Sequence, residues 1–310
     1  MNKKDLLKNE IVVGAIALIC CALWGSAFPT IKIGYSLFDI ASSDIGTQIL
    51  FAGSRFTLAG ILTIIIGSVL QKKILLPTKG SVPSIFKLCM LQTVIQYFFF
   101  YVGLAHTTGV KGAIITGSNT LIAILAASLL FHQEKLTIKK IVGCIAGFAG
   151  VIIANLTGSG LNFDITLTGE GFMLISATAY ALSSVYIKKF SKNYDPVMLS
   201  GYQFFVGGII LSIIGALMGG HLTGFTIKGT SVLIYLALVS AVAYSLWGIL
   251  LKHNPVSKVT VYGFMNPVIG VLLSAILLNE GSQAFSLQNI SALILVAVGI
   301  FTVNFTKESK

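Results

Sequence analysis

Ten apolar stretches, each close to the length of a membrane span, succeed one another along the chain with short polar breaks between them. They fall at 11–35, 46–70, 88–105, 112–131, 141–157, 169–187, 197–219, 231–251, 259–278 and 287–305. A helical span needs about 20 apolar residues, so the pattern predicts ten helices. Inside them, glycine recurs at a fixed step. Gly53, Gly60 and Gly67 stand seven apart in the second stretch, and Gly201, Gly208 and Gly215 repeat that ladder 148 residues later in the seventh. Small residues at helical spacing let two helices approach closely.

Other landmarks return in the same order. Trp24 with Lys32 answers to Tyr180 with Lys188, 156 residues on. Tyr97 answers to Tyr244 at 147, Glu134 to Glu280 at 146 and Gly150 to Gly299 at 149. The chain therefore reads as two copies of one unit. Five helices per copy is an odd number, so the second copy must sit upside down relative to the first. The expected fold is an all-α integral membrane protein, with ten transmembrane helices as two inverted-topology five-helix repeats. Residues 1–157 form the first repeat, 158–168 an extracellular linker rich in Gly, Asn and Thr, and 169–310 the second repeat. Inverted repeats of this kind are a hallmark of secondary transporters, with the site near the midplane between the halves.

Composition agrees. The chain is 55% hydrophobic and 10% charged, with a mean hydropathy of +0.91; a soluble domain carries about 25% charged residues. The net charge of +11 suggests nucleic acid until the lysines are placed. Lys3, Lys4 and Lys8 precede the first stretch, and Lys72, Lys73, Lys79 and Lys87 separate the second from the third. Lys135, Lys139 and Lys140, then Lys188, Lys189 and Lys192, then Lys252 and Lys258, and finally Lys307 and Lys310 fall on that same side. This bias obeys the positive-inside rule and puts both termini in the cytoplasm. No basic face is left over for nucleic acid. Met-Asn-Lys-Lys resembles a secretory n-region, but the apolar stretch after it is too long for a signal peptide, so we expect an uncleaved first helix.

Polar residues within the hydrocarbon are costly and are functional candidates by default. The set expected to line a substrate cavity is Trp24, Gln96, Tyr97, Tyr101, Asn119, Tyr180, Gln203, Tyr244, Trp247, Tyr262 and Asn266. Ser240, Tyr244 and Trp247 share one helix face by spacing, as do Tyr262 and Asn266. The fifth and tenth stretches carry no comparable set and read as scaffold. The alternative is that the aromatic residues belong to interfacial belts and the amides bond across helices.

Arg55, the only arginine, lies inside the second helix. With Lys32 it is a candidate anion anchor, because a guanidinium grips carboxylate or phosphate bidentately. The alternative is an arginine that reaches outward to Asp39 or Asp44, or caps carbonyls. Glu134 and Glu280 sit at helix ends beside Thr137 and Ser286, which read as N-caps, and so are expected to be structural. Pro29 is expected to interrupt the first helix and to form a hinge with Gly25 and Ser26, or an inert kink. Gly143 and Gly147 form a small-residue step that packs within the fold or makes a homodimer. Four cysteines show no zinc-site spacing and no disulfide framework. No phosphate-binding loop or nucleophile elbow is present, which argues against an ATP-driven pump unless a partner supplies the motif, and leaves no candidate catalytic pair. No metal or cofactor is expected.

Trp24-Gly25-Ser26-Ala27-Phe28 followed by Lys32, Arg55-Phe56, Glu134-Lys135-Leu136-Thr137, and Pro267 thirteen residues before Glu280 together resemble the EamA family of the drug/metabolite transporter superfamily. The resemblance covers nearly the whole chain. It departs at Ser118-Asn119-Thr120-Leu121, where the family often has proline. It implies a ten-helix transporter, often an exporter of amino acids and other small metabolites. The sequence thus points to a multi-pass protein of the inner cell membrane. It is expected to move a small organic solute, an amino acid or similar zwitterion, by alternating access. Its expected partners are that solute and membrane lipid. A flippase for a lipid-linked substrate, or a flippase subunit, is the alternative.

Overall fold

The computed structural model describes residues 3–107, 112, 115–155, 166–277 and 287–304. Beyond a short turn at Lys3–Leu6, these residues form ten helical segments. They are α1 (Glu10–Leu37), α2 (Ile45–Gln71), α3 (Lys79–Ala105), α4 (Ile115–Leu130), α5 (Ile138–Asn155), α6 (Phe172–Phe190), α7 (Pro196–Leu217), α8 (Ile227–His253), α9 (Val256–Thr260, Val261–Phe264 and Met265–Leu277) and α10 (Leu287–Asn304). Five of these, α1, α2, α3, α7 and α8, are long and apolar enough to cross a membrane. Most boundaries lie within a few residues of those the apolar pattern predicts. Exposed side chains around the bundle are largely apolar, among them Ile65, Leu129, Ile145, Ile213 and Phe301. A surface this apolar faces lipid, and the chain is a multi-pass membrane protein.

Local chemistry starts and stops the helices. Asn9 accepts from the amides of Ile11 and Val12, and Asp44 from that of Thr47 at 2.9 Å. Asp195 accepts from Val197 and Met198, with Pro196 in the first turn of α7. Such caps satisfy donors that have no partner inside the helix. Thr137 caps α5, accepting from the amide of Lys140 at 3.3 Å. Ser286 and Glu280 lie outside the described residues. Lys72 ends α2 in the left-handed conformation. Wider π turns occupy Cys89–Ile95 of α3 and Ala126–Leu130 of α4.

The main packing pairs are α2 with α7, α5 with α10, α1 with α8 and α9, α6 with α3 and α4, α2 with α8, and α7 with α3. Exchanging each helix for the one five places along leaves this set of pairs unchanged. The two glycine ladders face each other across the α2–α7 contact. A Cβ on Gly60 would stand 2.4 Å from the amide nitrogen of Phe205, and one on Gly208 would stand 2.2 Å from that of Thr57. Gly53 meets Ser212, and Gly215 meets Leu50, at similar distances. The two backbones touch, and any side chain would separate them.

One expectation changes, and one of two alternatives is seen. Pro29 does not interrupt α1, which stays helical from Glu10 to Leu37. The proline removes one donor to the Gly25 carbonyl. Thr30 and Ser26 hold the turn by donating to the carbonyls of Ser26 and Leu23, each at 2.7 Å. Gly25 serves packing, because a Cβ there would lie 2.7 Å from Ile269 of α9. The Gly143 and Gly147 step is used inside the fold. Gly143 abuts Gly299 and Val303 of α10, and Gly147 abuts Phe264 of α9.

Candidate functional site

The centre of the bundle is aromatic. Trp24 of α1 stands edge-on to Tyr244 and Trp247 of α8, each with ring centroids 5.0 Å away, and to Tyr180 of α6 at 6.4 Å. Tyr244 and Trp247 reach the same indole because they lie three residues apart on one face of a helix. Tyr97 of α3 shares a hydrogen bond with Tyr244 between their hydroxyls at 2.9 Å. Phe56 of α2 packs against Tyr97 at 4.3 Å and stacks on Phe204 of α7 at 5.2 Å, and Phe204 closes the ring against Tyr244 at 4.8 Å. Edge-on and offset contacts of this kind suit the charge distribution of aromatic rings.

Residues at matching places in the two halves meet here. Trp24 touches Tyr180, and Tyr97 bonds Tyr244, as their matching positions in the sequence permit. Phe56 and Phe204, 148 residues apart, form the stack, although the sequence reading did not place them in the site. The signal was available, because both lie at the same step from a glycine ladder. One residue before each phenylalanine stands Arg55 or Gln203, and these also behave alike. Arg55 donates from Nη2 to Ser240 Oγ of α8 at 2.9 Å and from Nε to the Leu236 carbonyl at 3.2 Å. Gln203 accepts from Thr93 Oγ1 of α3 at 2.6 Å and donates to Gln92 Oε1 at 3.1 Å. Ser240 and Thr93 are 147 residues apart, the step that separates Tyr97 from Tyr244.

Four polar atoms of the predicted site residues are buried with no partner among the described residues. They are Nε1 of Trp24, Nε1 of Trp247, Oε1 of Gln96 and Oδ1 of Asn266. An unpaired buried polar atom is costly. Gln96 precedes Tyr97 on α3, and Asn266 lies one turn before Gly270, whose backbone approaches Gly25 beside Trp24. Together the four atoms offer two indole donors and two amide acceptors. Trp24, Gln96, Tyr97, Asn119, Tyr180 and Asn266 each retain some accessible surface.

The other predicted residues lie elsewhere or are already engaged. Tyr101 is buried one turn beyond Tyr97, with centroids 6.4 Å apart. Gln203 is fully buried between Thr93 and Gln92. Tyr262 is directed to Gly14 of α1, and its carbonyl accepts from Cys21 Sγ at 3.2 Å. Asn119 accepts from Thr120 at 3.2 Å, near the α4–α9 contact where Thr120 also meets the Thr260 carbonyl. Arg55 is 3% exposed and bonded to α8 rather than to Asp39 or Asp44. Lys32 is exposed and does not join it. The cysteines are free and buried. Among the described residues, no group of acids, histidines and cysteines is arranged to hold a metal.

Known proteins resemble this chain over most of its length. The model of the EamA-like transporter family matches twice, at residues 12–156 and 167–305. A Bacillus subtilis protein named an uncharacterized transporter is 28% identical over 91% of this chain and 88% of its own length. An Archaeoglobus fulgidus protein, also named an uncharacterized transporter, is 26% identical over 93% of this chain and 97% of its own. A WAT1-related chloroplastic protein of Arabidopsis thaliana is 29% identical over 67% of this chain, a stretch that spans 51% of that protein. One crystal structure superposes with a TM-score of 0.76 at 18% identity, covering 95% of this chain and 96% of its own, a likeness of fold. With both halves matched by the family model and relatives of similar length named as transporters, the chain belongs to the EamA-like transporter family, whose members are membrane transporters and not enzymes.

Proposed function

We propose that this protein is a secondary transporter of small zwitterionic solutes, amino acids or their relatives, working by alternating access in the cell membrane. Its ten helices act as two inverted repeats of five, with both termini cytoplasmic and the site where the repeats meet. The observation that carries this reading is the aromatic centre, where matching residues of the two halves meet, together with four unpaired polar atoms of the predicted site residues. The indole donors of Trp24 and Trp247 suit a carboxylate, and the amide oxygens of Gln96 and Asn266 suit an ammonium group. The aromatic faces suit an apolar side chain. The double match of the family model to the two halves supports the repeat, and the lysine bias supports the orientation. Net export follows the family resemblance and the prevailing gradients.

The test is efflux from proteoliposomes loaded with a pooled metabolite set and read by mass spectrometry. Selective loss of amino acids or related zwitterions is the expected result, and retention of all of them by folded, inserted protein overturns the reading. The flippase alternative has one feature in its favour. An apolar groove of about 340 Å³ between α3 and α6 is lined by Leu91, Ile95, Leu174, Ile175 and Leu182. Lipid scrambling that depends on the head group, without solute efflux, would identify that function.

A further inference from the structure

The two ends of the bundle differ. At the lysine-rich end, the α8–α9 turn is tied down from several directions. Lys188 Nζ, near the end of α6, donates to the carbonyls of Leu251, at 3.2 Å, and Asn254. Glu134, just beyond α4, accepts from the Ser257 amide at 3.0 Å and its hydroxyl at 2.9 Å, and pairs with Lys140 at 3.6 Å. Asn254 Nδ2 donates to the Leu7 carbonyl at 2.9 Å, and Lys258 pairs with Glu10 at 3.7 Å. A cation at the last carbonyls of a helix satisfies acceptors that have no partner within it and opposes the negative end of the helix dipole.

The matching positions at the other end are not joined this way. Lys32 stands in α1 where Lys188 stands in α6, yet it is exposed and makes no ion pair or hydrogen bond among the described residues. By the step that relates Tyr97 to Tyr244, the carbonyls of Leu251 and Asn254 correspond to those of Leu104 and Thr107 at the end of α3. Thr107 is engaged differently, donating to Glu170 Oε1 at 2.6 Å. The packing shows the same asymmetry: α6 packs along α8, whereas the matching pair, α1 and α3, has at most marginal contact. The larger packing pairs, such as α2 with α7 and α1 with α8 against α6 with α3, keep their matches.

We infer that Lys188 and Glu134 latch the lysine-rich end of the bundle, and that Lys32 makes the matching latch on the C-terminal carbonyls of α3 in the opposite state. Two structurally related halves reverse a transporter by exchanging their conformations, so a contact made by one half in one state is made by its counterpart in the other. Lys188 and Lys32 thus hold alternate ends shut, one at a time. The inference rests on the alternating-access reading, but its test needs neither substrate nor flux.

The test is hydrogen–deuterium exchange of the full chain in lipid nanodiscs, comparing the unaltered protein with Lys188→Met, Lys32→Met and the double variant. Lys188→Met should speed exchange in 251–258 roughly tenfold, the scale of a lost charged hydrogen bond, and slow it in 102–107. Lys32→Met alone should leave 251–258 protected. The double variant should lose the protection gained at 102–107. Faster exchange at both ends in Lys188→Met, or a double variant that matches it, overturns the latch. If Lys188→Met does not fold, Ser257→Ala removes the hydroxyl donor to Glu134, with the same signs expected and no change at either end overturning it. Reciprocal exchange without flux would sink the transport reading alone, and flux without reciprocal exchange would sink the latch alone.

Discussion

Tyr97 and Tyr244 stand 147 residues apart and share a hydrogen bond between their hydroxyls at 2.9 Å. Each occupies the same place in its half of the chain. Tyr97→Phe or Tyr244→Phe leaves the other hydroxyl without this partner in a largely apolar centre and should cost about 1–3 kcal/mol. The double Phe variant should cost less than the two single variants added together, because it leaves no hydroxyl stranded. A double-mutant cycle on thermal unfolding in detergent measures this coupling, and additive effects would contradict it.

Trp24→Ala and Asn266→Ala should each reduce flux about tenfold or more, the scale of one hydrogen bond to a charged group. Neither change takes a hydrogen-bond partner from Nε1 of Trp24 or Oδ1 of Asn266, but Trp24→Ala also loses ring contacts to Tyr180, Tyr244 and Trp247, so flux is compared per folded protein. Solute efflux against folded yield checks this. Full flux in both variants would remove the aromatic centre as the site.

Arg55→Ala should lower the folded yield rather than change which solutes move. It takes away the donors to Leu236 and Ser240 across the α2–α8 contact, a loss of about 1–3 kcal/mol. Normal folding with selective loss of anionic solutes would instead make Arg55 a substrate anchor. The measurement is gel-filtration yield alongside competition by a panel of anions and zwitterions.

Gly208→Ala should cost about 1–3 kcal/mol by overpacking, because its Cβ would press on the backbone of Thr57. Gly171→Ala is the control. The nearest atom there is the end of the Leu167 side chain, 3.1 Å away, which can move. Thermal unfolding of both variants should separate them clearly.

The helices were legible because hydrocarbon demands long apolar runs, and lysine marks where they emerge. The Gly53 and Gly201 ladders were legible because the close α2–α7 contact needs a residue without a side chain at every step. Gln203 and Arg55 were harder to read. Spacing shows that a polar residue lies inside a helix, but not whether a partner such as Thr93 or Ser240 waits on the next one. Tyr262 shares a face with Asn266 by periodicity, yet the short tight-turned stretch Val261–Phe264 breaks the regular helix between them. Pro29 read as a break because local rules ignore the support of Thr30, Ser26 and the close face of α9.

The contact between α2 and α7 has the same glycine stripe on both of its faces. Such a surface is self-complementary, as in a homodimer with two-fold symmetry. A polypeptide of one half's length would already carry both sides of it and could pair with a second copy of itself. Fusing two copies makes the pairing independent of concentration and lets the halves drift apart in chemistry. One half now places Arg55 beside its phenylalanine, while the other places the uncharged Gln203 there. Joining the copies therefore permits an asymmetric, charged centre that a symmetric pair of short chains could never have.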